Sequence, residues 1–196
     1  QARGVTAMRK LRLYIADSLD GYIAAPDDSF DAFPMEGDHI DMIIRDYRDT
    51  LPSAALDALG LTPDLTRFDT VLMGWNTYAV GVPHPPNGPY AHLKQYVFSH
   101  RDIEVEPAVT LTDSDPVEVV KKLKQENGSS IWLAGGGVLA SSLIDEIDRL
   151  ILKVNPLLMG SGKRIFAERD YAPLASSLVA STSFASGVVV NEYTLR

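Results

Sequence analysis

Apolar and polar side chains alternate from Leu11 to Ala16, with Leu11, Leu13 and Ile15 set against Arg12, Tyr14 and Ala16. A period of two is the pattern of a strand. Asp17-Ser18-Leu19-Asp20-Gly21 breaks it, and a loop rich in Pro and Asp runs on to Gly37. From Asp38 the spacing changes. Ile40, Ile43, Ile44 and Tyr47 fall at i, i+3, i+4 and i+7, which predicts an apolar stripe on a helix. A second short helix fits Ser53 to Leu59, with Gly60 as its stop. Strands are predicted at Asp69 to Met73, Gln95 to Ser99, Ala108 to Leu111, Ile131 to Ala134 and Arg149 to Val154. Between them lie a helical turn over Asn76 to Val80 and a proline-rich loop from Val82 to Pro89. Asp115-Pro116-Val117-Glu118 reads as N-cap, N1 proline and capping-box acid. The helix it opens turns Val117, Val120 and Leu123 inward and Lys121, Lys122 and Lys124 outward, ending by Gly128. A further helix fits Val138 to Asp145. Leu178 to Ala185 and Val188 to Leu195, joined by Ser186-Gly187, read as a C-terminal hairpin.

Alternating strands and helices predict a parallel sheet with helices on its faces, and the hairpin adds antiparallel strands at one edge. A length of 196 residues suits one α/β domain, and neither a repeat nor a linker divides it. The patterned chain begins at Met8. Residues 1–7 read as a loose tail or an added remnant, so the expected domain is 8–196.

Charge changes the picture because it is local. The chain holds 18 Lys and Arg against 26 Asp and Glu, a formal net charge of -8. Ten acids and two bases fall between Asp17 and Asp49, which leaves the remainder neutral. An acidic surface repels nucleic acid and anionic lipid, so neither is an expected partner. The absence of Cys excludes disulfides, thiolate catalysis and Cys-ligated zinc, and no metal is expected. It is compatible with a cytoplasmic enzyme. No apolar run approaches the ~20 residues of a membrane span, and Gln1 to Ala7 lack the apolar core of a signal peptide.

Four segments could carry chemistry. In Ile131-Trp132-Leu133-Ala134-Gly135-Gly136-Gly137 a buried strand ends in three glycines and a helix starts at once. Without Cβ atoms the backbone can approach a diphosphate, and a helix start supplies free N–H groups. The alternative is a tight turn alone. A G-x-G-x-x-A dinucleotide fingerprint is also satisfied, but it needs an acid about 20 residues on at the next strand end, and that strand ends at Asn155. Val71-Leu72-Met73-Gly74-Trp75-Asn76-Thr77 repeats the strand, glycine, helix order, as a phosphate site or only a cap. Val97-Phe98-Ser99-His100-Arg101 ends a strand in a hydroxyl, an imidazole and a guanidinium able to pair with phosphate, or simply in solvent. Met159-Gly160-Ser161-Gly162-Lys163-Arg164 fails the spacing of a P-loop, which excludes ATP hydrolysis on that motif. Strand ends from consecutive units suit one long phosphorylated ligand across the carboxyl edge of the sheet.

The segments LYIADSLDGYIA, VLMGWNTY, YVFS, IWLAGGGVLASSLI and DRLILKVNPLLMGSGKRIF, in this order, resemble the dihydrofolate-reductase-like superfamily. Within it the chain is most similar to the riboflavin-biosynthesis reductase group, the RibD C-terminal domain, from Met8 to the C-terminus. The resemblance implies an NADPH-dependent reductase on a three-layer α/β/α fold, and a homodimer. It places Gly135, Gly136, Gly137, Val138 and Leu139 along the diphosphate and nicotinamide. Gly74, Trp75, Asn76 and Thr77 would cover the diphosphate and adenosine phosphate, Ser99, His100 and Arg101 would meet the adenosine end, and Ala16 would lie beside the nicotinamide carboxamide. Where the family has an Arg that helps hold the 2′-phosphate, this chain has Trp75, which leaves NADH open beside NADPH. A folate reductase has an Arg ahead of the third strand, where this chain offers Lys94, and a loop Trp that is missing here. Folate itself is therefore not the expected substrate.

Hydride transfer belongs to the cofactor, and the protein positions the donor and supplies a proton. An Asp that donates at neutral pH needs burial or like-charge neighbours to raise it from ~3.9. The acidic segment is the expected source, with Asp20 and then Asp41 as the candidate catalytic acids and Asp38 beside them on the substrate wall. Acids there would favour a small neutral or cationic substrate, heterocyclic or carbonyl, of the pterin or aminopyrimidine kind. The alternative is a nucleotide-binding module without catalysis.

Overall fold

β1 (Leu11–Ser18) lies inside an eight-stranded sheet of order β5-β4-β3-β6-β1-β7-β10-β9. The structure, a computed structural model, describes residues 7–195. The tail expected over residues 1–7 lies outside the described residues except Ala7, which is exposed. β3 (Phe68–Gly74), β4 (Lys94–Phe98), β5 (Val109–Thr112), β6 (Ser130–Gly135) and β7 (Arg149–Asn155) join β1 through parallel pairings. β10 (Val189–Thr194) runs antiparallel to β7, and β9 (Ser177–Ser183) antiparallel to β10. The central strands are apolar on both faces because helices cover both, as parallel sheets require.

One face carries α4 (Pro116–Gln125) and α5 (Gly137–Ser142), packed through Val120, Leu123, Leu139 and Leu143 onto Leu11, Leu13, Leu72 and Leu133. The other carries α1 (Asp38–Asp46) and α3 (Trp75–Ala79), whose Met42, Ile43 and Tyr78 meet Tyr14, Val71, Met73 and Trp132. Each such aliphatic side chain, fully buried, contributes about 1.5–3 kcal/mol. α2 (Ser53–Leu59) ends as expected at Gly60, which takes the left-handed conformation. The Asp115 side chain accepts the Val117 N–H and caps α4. Arg9 is buried ahead of β1, paired with Asp69 and donating to the Ser129 carbonyl at 2.7 Å.

Three expectations change. Lys124 is buried rather than outward, because its Nζ meets Asp148 at 3.0 Å and the Glu146 carbonyl at 2.7 Å. α1 is rotated from the expected stripe: His39 and Met42 are buried with Ile43, while Ile40 and Ile44 are half-buried. His39 Nδ1 lies 2.9 Å from Ser186 Oγ, which makes burial of its ring tolerable. β1 continues through Asp17 and Ser18, since β7 pairs with it as far as Asn155. A two-stranded sheet of β2 (Tyr22–Ala24) and β8 (Lys163–Arg164) escapes the sequence patterns, being too short to show a period.

Candidate functional site

The carboxyl ends of five parallel strands open into one cavity of about 900 Å³. That is near the upper end of the range for small-molecule sites. At β1 it is lined by Ile15 and Ala16, and at β6 by Ala134 and Gly136. It continues over Gly74 at the end of β3, over Ser99 and His100 after β4, and over Thr112, Asp113 and Ser114 at the end of β5. The order of these strand ends across the sheet is the order in which a long ligand would meet them.

The glycines have separate reasons. Gly135 has φ +114°, a left-handed value that favours glycine, and its peptide bond to Gly136 is cis. Gly137 opens α5 beneath β8. A Cβ there would lie 2.5 Å from the Arg164 carbonyl oxygen and 3.1 Å from the Ala167 nitrogen. The Ala167 N–H donates to the Gly137 carbonyl at 3.1 Å, so β8 and the residues after it seat directly on this turn. Opposite, Gly74 approaches closely enough that its Cβ would lie 3.5 Å from the Gly136 nitrogen. A cradle of bare backbone thus occupies the middle of the cavity.

Beyond Ala16 the wall is apolar. β2 supplies Ile23 and Ala24, and the loop after it supplies Phe30 and Phe33. Asp28 from that loop faces Lys163 of β8 at 3.9 Å. Both line the cavity, with Arg164 and Glu168.

Eleven of the thirteen residues that the resemblance assigns to the cofactor line the cavity: Ala16, Gly74, Trp75, Asn76, Thr77, Ser99, His100, Gly136, Gly137, Val138 and Leu139. Gly135 is buried beneath them. Arg101 is exposed and outside the lining, its N–H donating to Ser99 Oγ at 3.1 Å.

The acidic segment has a different use from the one expected. Asp20 does not line the cavity. Its carboxylate accepts from Ser18 Oγ at 2.5 Å, Met159 N at 3.0 Å and Gly160 N at 2.8 Å. These hydrogen bonds favour the charged form and hold it at about 2, which is wrong for a proton donor at neutral pH. Asp41 is exposed on α1, away from the lining. Asp38 accepts the Ala185 and Ser186 N–H groups at 2.8 and 3.0 Å and ties α1 to the turn between β9 and β10. Asp49 is buried and accepts from Leu65, Arg67 and Phe68 N–H groups. Of the segment's ten acids, only Asp28 lines the cavity. Lys94 lies at the opposite, amino end of β4, 3.3 Å from Glu126, where no ligand in this cavity reaches it.

Two titratable groups adjoin Ala16. Asp17 is 5% exposed, and its Oδ1 has no hydrogen-bond partner among the described residues. Burial raises it to about 7. Lys153 on β7 is in register with Ala16 and therefore on the same face of the sheet. Its Nζ lies 4.3 Å from the centroid of the Tyr14 ring, and burial lowers it to about 8. Its Nζ makes no hydrogen bond or ion pair among the described residues, and Lys153 lies just outside the cavity lining. Sequence reasoning missed Lys153 because only the strand register reveals its neighbour.

The comparisons bear on the family and the fold. The model of the RibD C-terminal domain matches residues 9–190. The uncharacterized protein YwjB of Bacillus subtilis is 35% identical over 166 residues, covering 82% of this chain and 84% of that protein. YyaP of the same organism is 27% identical and covers 92% of each. A putative riboflavin biosynthesis protein from Shewanella sp. PV-4 superposes with a TM-score of 0.71 at 23% identity, over 95% of this chain and 99% of that one. Dihydrofolate reductase from Enterococcus faecalis, complexed with NADP(H) and RAB-propyl, gives 0.64 at 16% identity, over 94% and 95%. The two structural likenesses bear on the fold. The family match spans nearly all of the chain, which therefore belongs to the RibD C-terminal domain family of NAD(P)H-dependent oxidoreductases.

Proposed function

We propose that the chain reduces a small neutral heterocycle or carbonyl compound, of the pterin or aminopyrimidine kind, with hydride from a reduced nicotinamide dinucleotide. One observation carries this reading: a single cavity crosses five strand ends, with a glycine cradle at its middle and an apolar wall beyond Ala16. The residues that would hold the dinucleotide are Gly74 to Thr77, Ser99, His100 and Gly136 to Leu139, with Ala16 beside the nicotinamide. NADPH is the form that the family resemblance implies, with NADH open beside it. When bound, the dinucleotide supplies the hydride.

The protein's own part is positioning and a proton. Ile23, Phe30 and Phe33 offer flat apolar surface to a ring and keep water from it. As hydride reaches the substrate carbon, the electron pair of the reduced double bond moves to its heteroatom and a proton must follow. We assign that proton to Lys153 Nζ, which lies outside the lining but beside Ala16 in the strand register, in place of Asp20 and Asp41, with water restoring it afterwards. Folate is outside the proposal because Lys94 is remote from the cavity. A cytoplasmic location and a homodimer joined along β9 complete the reading.

Dinucleotide oxidation, followed by absorbance with a panel of pterins and aminopyrimidines, tests it. Turnover of at least one candidate is expected, and Lys153→Met should lower it by about 10²-fold or more. Dinucleotide affinity in that variant should stay unchanged, and wild-type activity should fall as pH rises through about 8. Binding without oxidation of any candidate would favour the module without catalysis. Full turnover in Lys153→Met would remove the lysine's role.

A further inference from the structure

Among the described residues, the end of the cavity farthest from Ala16 is lined by no lysine or arginine. There the lining is Ser99 and His100 from the end of β4 and Thr112, Asp113 and Ser114 from the end of β5. The lysine and arginine that do line the cavity, Lys163 and Arg164, come from β8. β8 seats on Gly137, just past the end of β6, three strands from β5 and therefore about 14 Å across the sheet. Arg101 is near in sequence, but it is exposed and outside the lining.

Among the described residues that line this end, Asp113 is the one carboxylate. It is exposed and makes no ion pair or side-chain hydrogen bond among the described residues, whereas its neighbour Asp115 is occupied by capping α4. An acid at a strand end in a dinucleotide site accepts hydrogen bonds from a ribose diol and repels a phosphate placed on it, while an arginine does the reverse. Ser99, Thr112 and Ser114 add hydroxyl groups of the same neutral, diol-compatible kind.

We infer that Asp113 sets the cofactor choice of this chain, and that the cavity takes the dinucleotide with a free adenosine 2′-hydroxyl, NADH, in preference to NADPH. The inference rests on the dinucleotide reading above. It concerns only which adenosine ribose the far end accepts. Asp113 acts by accepting from the diol and by placing negative charge where a 2′-phosphate would have to sit.

The test is direct titration of the purified protein with NADH and with NADPH, read by fluorescence, so no substrate is needed. NADH should bind at least about tenfold more tightly, the scale on which like charges brought together discriminate. Asp113→Ser should bring the two affinities within about threefold, mainly by improving NADPH. Because Asp113 is exposed and unpaired, the variant should keep the wild-type circular dichroism spectrum. Arg101→Ala should leave the ratio as it is. Tighter binding of NADPH by the wild-type protein would overturn the inference, as would an unchanged ratio in Asp113→Ser or a ratio that depends on Arg101. Binding of neither dinucleotide would overturn the underlying reading and this one with it.

Discussion

Asp17 and Asp20 are three positions apart, yet one is raised to about 7 and the other held at about 2. The first is buried with an oxygen left unpartnered, and the second accepts three hydrogen bonds at the surface. Proximity in sequence says nothing of this, because each environment comes from distant chain. Asn155 and the strand it ends cover the backbone of Asp17, and Met159 and Gly160 come to Asp20. The raised value has a consequence for stability. A carboxyl with a higher pKa in the folded state binds its proton more tightly there, so its contribution is complete below the unfolded value of ~3.9 and is lost as pH rises through about 7. Asp17→Asn removes the ionisation. Denaturant titrations should find the variant gaining up to about 4 kcal/mol on wild type between pH ~4 and pH ~8, at about 1.4 kcal/mol per pH unit of the shift. A constant difference across that range would mean that Asp17 does not ionise in the folded protein.

At the level of elements, β6, its glycines and α5 were legible because every signal in them is local: a continuous apolar run, three glycines, then helix formers. The same holds for the Asp115 cap and for Gly60. The pairing of β2 with β8 was not legible, since five residues in two places carry no period. Nor was the burial of Lys124, which depends on Asp148 at the far side of α5. The acidic segment misled for a related reason. Composition reports that charge is present, while its use depends on which backbone N–H groups the fold brings to it. Gly137 joins the legible part to the hidden part, because the turn read from sequence is also the seat of β8. Gly137→Ala would drive its Cβ to 2.5 Å from the Arg164 carbonyl oxygen, and backbone must yield. A loss of about 1–3 kcal/mol is expected in unfolding experiments, the usual cost of overpacking. Gly74→Ala makes the control, with its Cβ at an ordinary 3.5 Å from Gly136 and no left-handed φ, so its stability should change by less than ~1 kcal/mol. Equal losses in both would show that β8 does not rest rigidly on the turn.

For the whole molecule, the uneven feature is the edge that β9 leaves open. β5 closes the other edge with four residues, whereas all seven residues of β9 are exposed and one side of its backbone faces no strand. Ser177-Leu178-Val179-Ala180-Ser181-Thr182-Ser183 contains neither charge nor proline, the two devices that usually blunt an edge. Leu178 and Val179 are 59% and 49% exposed. An antiparallel pair of β9 strands about a twofold axis would satisfy the free N–H and carbonyl groups of both copies with the same patch, as a symmetric dimer requires. It would also continue the sheet through two molecules without touching the cavity, which opens at the ends of β1, β6, β3, β4 and β5. Val179→Lys places a charge on that edge, and because Val179 makes no core contact the fold should survive it. Sedimentation at about 10 μM should then give a dimer for wild type and a monomer for the variant, with dinucleotide affinity equal in the two. A monomeric wild-type protein, or a dimer that ignores the lysine, would place the β9 edge outside any contact between copies.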